Sequence, residues 1–193
     1  MNRRDFSVLT IVSAGSTLPA AFAQTAAFAQ TTPNIVALLR KGGCALMLRH
    51  AQTESGVGDP PGFQLDQCST QRNLSQDGRQ QAKQIGQWFK LNKLKSRSVQ
   101  TRPWCRCKDT AELAFGRYAV LGSLASTFEN RAAQDQQTEE LRARLQFVPA
   151  GQFEVWVTHQ VNISALTNTA VAMGEAVLLD SKARLLGRTL FSN

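Results

Sequence analysis

The sequence predicts an α/β protein: a three-layer α/β/α sandwich with a largely parallel central sheet. Three observations carry this. Short apolar runs alternate with longer stretches of helical periodicity. Two of those runs, "CALMLRH" and "FEVWVTH", are apolar almost throughout, as strands covered on both faces are. Each also closes on one of the chain's two histidines, His50 and His159. In parallel sheets, ligands gather beyond the carboxyl ends of the strands.

Taken in order, "TTPNIVALLRKGG" reads as a short helix ended by Gly42-Gly43. "CALMLRH" follows as a buried strand, then a long polar loop holding "GVGDPPGFQLDQCSTQRN". Ser75 caps a helix over "QDGRQQAKQIGQWFKL", in which Ala82, Ile85, Trp88 and Phe89 recur at helical spacing. "RSVQT" is a second strand. "PWCRCKDTAELAFG" is a helix opened by Pro103 and closed before Gly116. "DQQTEELRARLQFV" is a further helix, "FEVWVTH" a strand and "VNISALTNTAVAMG" the helix behind it. "EAVLLDSKARLLGRTL" reads as two short strands joined by a turn.

The 193 residues are 42% hydrophobic, enough for one domain with a core and short for two. A charged fraction of 19% and three tryptophans argue against disorder. The formal net charge of +8 suits an anionic partner. The basic residues form no run of five or six, and no nucleic-acid motif is present, so a small anionic substrate is expected rather than nucleic acid. Residues 1–29 read as an export signal. "MNRRDF" is basic, a moderately apolar stretch rich in small residues follows, and cleavage sites end at Ala23 and Ala29. Arg3-Arg4 resembles the twin-arginine type. Ser13, Gly15, Ser16 and Pro19 break the run too often for a retained anchor, and no later segment is apolar enough to span a bilayer. Residues 30–193 are then a single exported domain, periplasmic or beyond. In that setting Cys44, Cys68, Cys105 and Cys107 suggest disulfides with three pairings open, and Cys44 also suits a buried thiol. The Cys105-Arg106-Cys107 spacing is too tight for a zinc knuckle.

Four pieces in order resemble the histidine phosphatase superfamily, which includes phosphoglycerate mutases and acid phosphatases. "LRHAQT" matches its Arg-His signature. "RNLSQDGRQQA" is similar to its Leu-Ser/Thr-x-x-Gly-x-x-Gln-Ala helix start. "RCKDTA" is similar to its Arg-Ala-x-x-Thr-Ala helix, and "VWVTH" to the strand that delivers a second histidine. The resemblance spans Cys44 to Gly187 and implies a phosphoglycerate mutase-like fold. It further implies a phosphohydrolase that needs no metal or cofactor. His50 would be the nucleophile, forming a phosphohistidine, with Arg49, Arg106 and His159 binding the phosphoryl group. Arg72 would lie nearby. The substrate would be a phosphomonoester or similar compound, such as a phosphorylated envelope component. The alternative is a non-catalytic phosphate-binding protein on the same fold.

The chemistry agrees with these roles. Phosphoryl transfer needs a nucleophile and placed positive charge, and an arginine fork holds two oxygens at once. A histidine attacks only through a neutral nitrogen, and adjacent arginines disfavour its cation. A bound phosphate dianion would in turn favour a charged His159 as a further clamp. The sequence also departs from the family. Ala51 replaces a frequent glycine, Thr101-Arg102 replaces Ser-Ser, and Gln160 follows the second histidine where an acid or a glycine is usual. Arg102 is thus either a fifth cation of the pocket or a surface charge. The general acid is open among Glu129, Glu54 and Asp59, with Glu129 best matching the mutase-like position and Glu54 also a candidate substrate contact.

Overall fold

The computed structural model describes residues 34–124 and 131–191, with the side chains of residues 131 and 132 excepted. The segment expected to be an export signal, residues 1–29, and Glu129 lie outside the described residues. Helix α1 (Ile35–Lys41) is capped by Asn34, whose side chain accepts from the Ala37 N–H, and it stops at Gly42 with φ 68°. Strand β1 (Cys44–Arg49) follows. A long loop, regular only at a 3₁₀ turn over Cys68–Thr70, leads to α2 (Gln76–Leu91), capped by the Ser75 hydroxyl. Next come β2 (Ser98–Thr101), α3 (Cys105–Phe115), β3 (Ala119–Val120) and a 3₁₀ turn over Gly122–Leu124. Then α4 (Arg131–Leu145), β4 (Phe153–Thr158), α5 (Gln160–Thr167), β5 (Glu175–Asp180) and β6 (Leu185–Leu190) complete the order.

The six strands form one sheet in the order β3-β2-β4-β1-β5-β6. The first four run parallel, and β5 and β6 return antiparallel. Both faces are covered. Leu46 and Leu48 of β1 pack with Val155 and Val157 against Leu39, Ile85, Phe89 and Ala111, which come from α1, α2 and α3. On the other face Ala45, Met47 and Trp156 meet Leu141 and Leu145 of α4 and Ile163 and Leu166 of α5. This double cover is why β1 reads as a continuous apolar run rather than an alternating one.

Two glycines set the close approach of α2. A Cβ on Gly78 would lie 1.8 Å from the Gln52 carbonyl oxygen, and one on Gly86 would lie 2.3 Å from the Ala114 carbonyl oxygen. The first seats the start of α2 against the chain leaving β1, and the second seats α2 on α3.

Two expectations change, and one strand was not foreseen. The segment after β4 is helical only to Thr167, because Asn168 turns left-handed (φ 52°), and residues 168–174 continue as loop. Pro103 precedes the Trp104 cap of α3 instead of opening the helix. Strand β3 is two exposed residues long, too short to leave a periodic signal.

Candidate active site

The β1–β4 register pairs Arg49 with Thr158, so the next residue of each strand, His50 and His159, emerges side by side. The His50 N–H donates to the Thr158 carbonyl at 3.0 Å, which extends the ladder one residue beyond the strand. The two imidazoles meet edge to face with centroids 4.8 Å apart, and both are buried.

The proton of His50 can be placed. Nδ1 lies 2.8 Å from the Ala51 carbonyl, which only accepts, so Nδ1 carries the hydrogen and Nε2 keeps a lone pair. Burial lowers the pKa to about 3, with Arg106, Arg49 and Arg72 adding to the effect and the Ala51 bond opposing it. Desolvation rather than the neighbouring cations is therefore the larger cause. His159 accepts the Arg106 Nε–H at Nε2 (2.7 Å), and its Nδ1 lies 3.6 Å from the Cys107 sulfur. It is likewise held well below its ordinary value, by burial first and then by Arg102, His50, Arg106 and Arg49. His159 is here a neutral acceptor.

Arg106 comes from the first turn of α3 and is buried. Besides His159, its fork grips Asp59 from both sides, Nη1 to Oδ1 at 2.6 Å and Nη2 to Oδ2 at 3.0 Å. Asp59 also accepts from the Arg72 N–H (3.0 Å) and the Trp104 indole N–H (3.1 Å). Burial alone would raise its pKa, but the hydrogen bonds from Arg106, Arg72 and Trp104 and the charge of Arg106 lower it. Asp59 here is an ionised acceptor seated where an arginine fork would take an anion, and not a proton donor.

Solved structures share this architecture. TTHB049 from Thermus thermophilus superposes with a TM-score of 0.55 at 18% identity, over 75% of this chain and 98% of that one. A proposed alpha-ribazole-5'-P phosphatase from Escherichia coli gives 0.57 at 18%, over 77% and 96%. A proposed phosphohistidine phosphatase SixA from Agrobacterium tumefaciens gives 0.51 at 17%, over 76% and 97%. The chain has the histidine phosphatase fold. No protein-family model and no curated protein matches the sequence.

Within the histidine phosphatase fold, the remaining candidates fall as follows. Arg49 is half-buried and donates to the Val171 carbonyl at 2.7 Å, while its Nε is buried without a partner. Arg72 hydrogen-bonds the Gly56 carbonyl and, through its own carbonyl, accepts from Arg106 at 3.3 Å. Burial lowers both arginines, and Arg72 lowers Arg49 further. Arg102 follows β2, fully buried and stacked on Trp104 with its guanidinium carbon 4.3 Å from the ring centroid. Burial lowers it to about 9. Glu54 is exposed; its backbone N–H bonds the Asn73 carbonyl, and its side chain is not drawn into this cluster.

Several supporting residues were not singled out from sequence. Thr110 accepts from the Ala51 N–H (3.0 Å) and donates to the Arg106 carbonyl (2.7 Å), tying the end of β1 to α3. Gln81 accepts from the Gln52 N–H and donates to the Met173 carbonyl, joining two loops beside the site. Both stand at fixed places in the quoted motifs, "RCKDTA" and "RNLSQDGRQQA", a signal that could have marked them. Gln71 accepts from the Cys105 N–H at 2.9 Å and so caps α3, whose Trp104 cap residue offers no acceptor. Cys68 and Cys105 form a disulfide, while Cys44 and Cys107 are buried thiols raised by burial to about 11 and about 12. Cys105 is therefore not available to a metal. Among the described residues, no three His, Cys, Asp or Glu side chains gather as a metal-binding set.

Proposed function

We propose that this protein is an exported, metal-independent phosphohydrolase that works through a phosphohistidine on His50. One observation carries the reading: His50 has a fixed Nδ1 proton and a free Nε2 lone pair, at a sheet edge shared with His159, Arg49, Arg72 and Arg106. The Nε2 lone pair attacks phosphorus in line, the P–O bond to the leaving group breaks, and the departing oxygen takes up a proton. Water then attacks the phosphohistidine, releasing phosphate and returning the lone pair to Nε2. The arginines supply the positive charge that the equatorial oxygens require, and Arg106 exchanges Asp59 for the phosphoryl group. Glu129 remains the proposed proton donor to the leaving oxygen. Export rests on the N-terminal pattern and agrees with the Cys68–Cys105 disulfide, which an oxidising compartment would preserve.

The test is hydrolysis of an aryl phosphate by the purified chain in the presence of chelator, with His50→Ala alongside. Phosphate release that vanishes in His50→Ala, together with an acid-labile phosphoenzyme, supports the enzyme. Phosphate binding without turnover would establish the non-catalytic binder instead. Turnover that survives His50→Ala would overturn the mechanism.

A further inference from the structure

Arg102 is the group that hydrolysis of a simple phosphomonoester leaves without a task. It is wholly buried, and its Nε, Nη1 and Nη2 have no hydrogen-bond partner among the described residues. A buried guanidinium without acceptors is expensive, and the stacking on Trp104 offsets that only in part. Its placement is systematic. Strands β2, β4 and β1 are adjacent and parallel, and the residue that follows each is Arg102, His159 and His50. The Arg102 N–H donates to the Val157 carbonyl as the His50 N–H does to Thr158, so the three side chains leave the same edge of the sheet. Trp104 then links Arg102 to the rest, with its ring 5.6 Å from the His159 ring and its indole N–H on Asp59.

Charge makes the same point. Arg49, Arg72, Arg102 and Arg106 share this edge, and among the described residues the carboxylate that meets them is Asp59. A phosphoryl dianion in place of Asp59 would still leave positive charge uncompensated among four arginines.

We propose that the site takes a diphosphate: the terminal phosphoryl group goes to His50 and Arg106, and the second phosphate goes to Arg102, which sets this preference. Asp59 is the resting anion that the ligand displaces, and lifting it with its loop gives the second phosphate access to Arg102. This rests on the reading that His50 and Arg106 receive a phosphoryl group.

The experiment measures binding of inorganic phosphate and inorganic pyrophosphate to the full chain by calorimetry, in wild type, Arg102→Met and Arg102→Lys. Wild type should bind pyrophosphate at least about tenfold more tightly than phosphate, the scale of a charge-assisted hydrogen bond. Arg102→Met should erase that ratio by weakening pyrophosphate binding about tenfold more than phosphate binding, and Arg102→Lys should restore part of it. Ligand-free Arg102→Met should also melt higher than wild type, because a bare buried charge is gone; an arginine serving only to pack would melt lower on removal. Equal affinity for the two anions in wild type, or a ratio that survives in a folded Arg102→Met, overturns the inference and leaves the phosphohydrolase reading standing. Failure of wild type to bind either anion overturns both.

Discussion

His50 keeps its Nδ1 proton on the Ala51 carbonyl, and Ala51 is itself held by Thr110. The orientation of the nucleophile therefore depends on a hydroxyl that never touches substrate. Replacing Thr110 by valine preserves shape but strips the partner from the buried Ala51 N–H. The expected loss is about 1–3 kcal/mol of stability, read by urea unfolding, with turnover falling as well and Thr110→Ser recovering both. Undiminished stability in Thr110→Val would remove this link. Asp59 makes the opposite case. It already fills the Arg106 fork as an ionised acceptor. Asp59→Asn should therefore tighten inorganic phosphate binding by roughly tenfold, measured by calorimetry. Weaker binding in that variant would mean that Asp59 organises the site rather than competes for it.

The loop between β1 and α2 is the element the sequence left least determined. It has no apolar period and forms almost no regular structure, so its partners follow from contacts far along the chain: Asp59 on Arg106, Gln71 on the Cys105 N–H, and Cys68 on Cys105. The pairing of Cys68 with Cys105 across 37 residues was one of three open arrangements. By contrast β1, β4 and the histidines that end them were legible, because double-sided burial and helical periodicity leave direct marks. The motifs on α2 and α3 contain the buttressing Gln81 and Thr110 without marking them out, and Arg102 stood out as a departure that read equally as a surface charge before its burial was known. Closing a loop of this length by a disulfide stabilises by roughly 2–4 kcal/mol. Cys68→Ser with Cys105→Ser should lose about that much in denaturant unfolding, and wild type under reductant should match it. No difference between the oxidised and reduced protein would show that Gln71 and Asp59 already fix the loop. At the start of α2, Gly78→Ala would drive a methyl into the Gln52 carbonyl, which is backbone and cannot swing aside. The helix must shift away from His50, so the variant should lose several-fold in turnover and melt well below wild type. An unchanged melting temperature would contradict the packing described.

Across the whole molecule, the fold hides two imidazoles within a concentration of arginines on an already basic chain. Sequence reasoning expected the arginines to keep His50 neutral, but burial contributes more, and burial is a property of the assembled sheet that no motif displays. This has a consequence for acid stability whose sign is definite. In the unfolded chain both histidines titrate near an ordinary value of about 6.5. In the folded chain His50 titrates at about 3, and His159 also lies well below its ordinary value. As pH falls through about 6.5 the unfolded state gains protons that the folded state refuses, so the stability present above that pH is progressively lost. Asp59, Glu175 and Asp180, also lowered, add their loss only further down, below the ordinary carboxylate range of about 4. Between pH 7.5 and 5.0 His50 should remove about 2 kcal/mol, with His159 acting in the same direction, seen as a falling urea midpoint. His50→Asn should flatten that slope while leaving the steeper fall below about pH 4 in place. A midpoint that does not move over this range, or one that moves equally in His50→Asn, would mean that His50 accepts a proton in the folded state, and the neutral nucleophile would go with it.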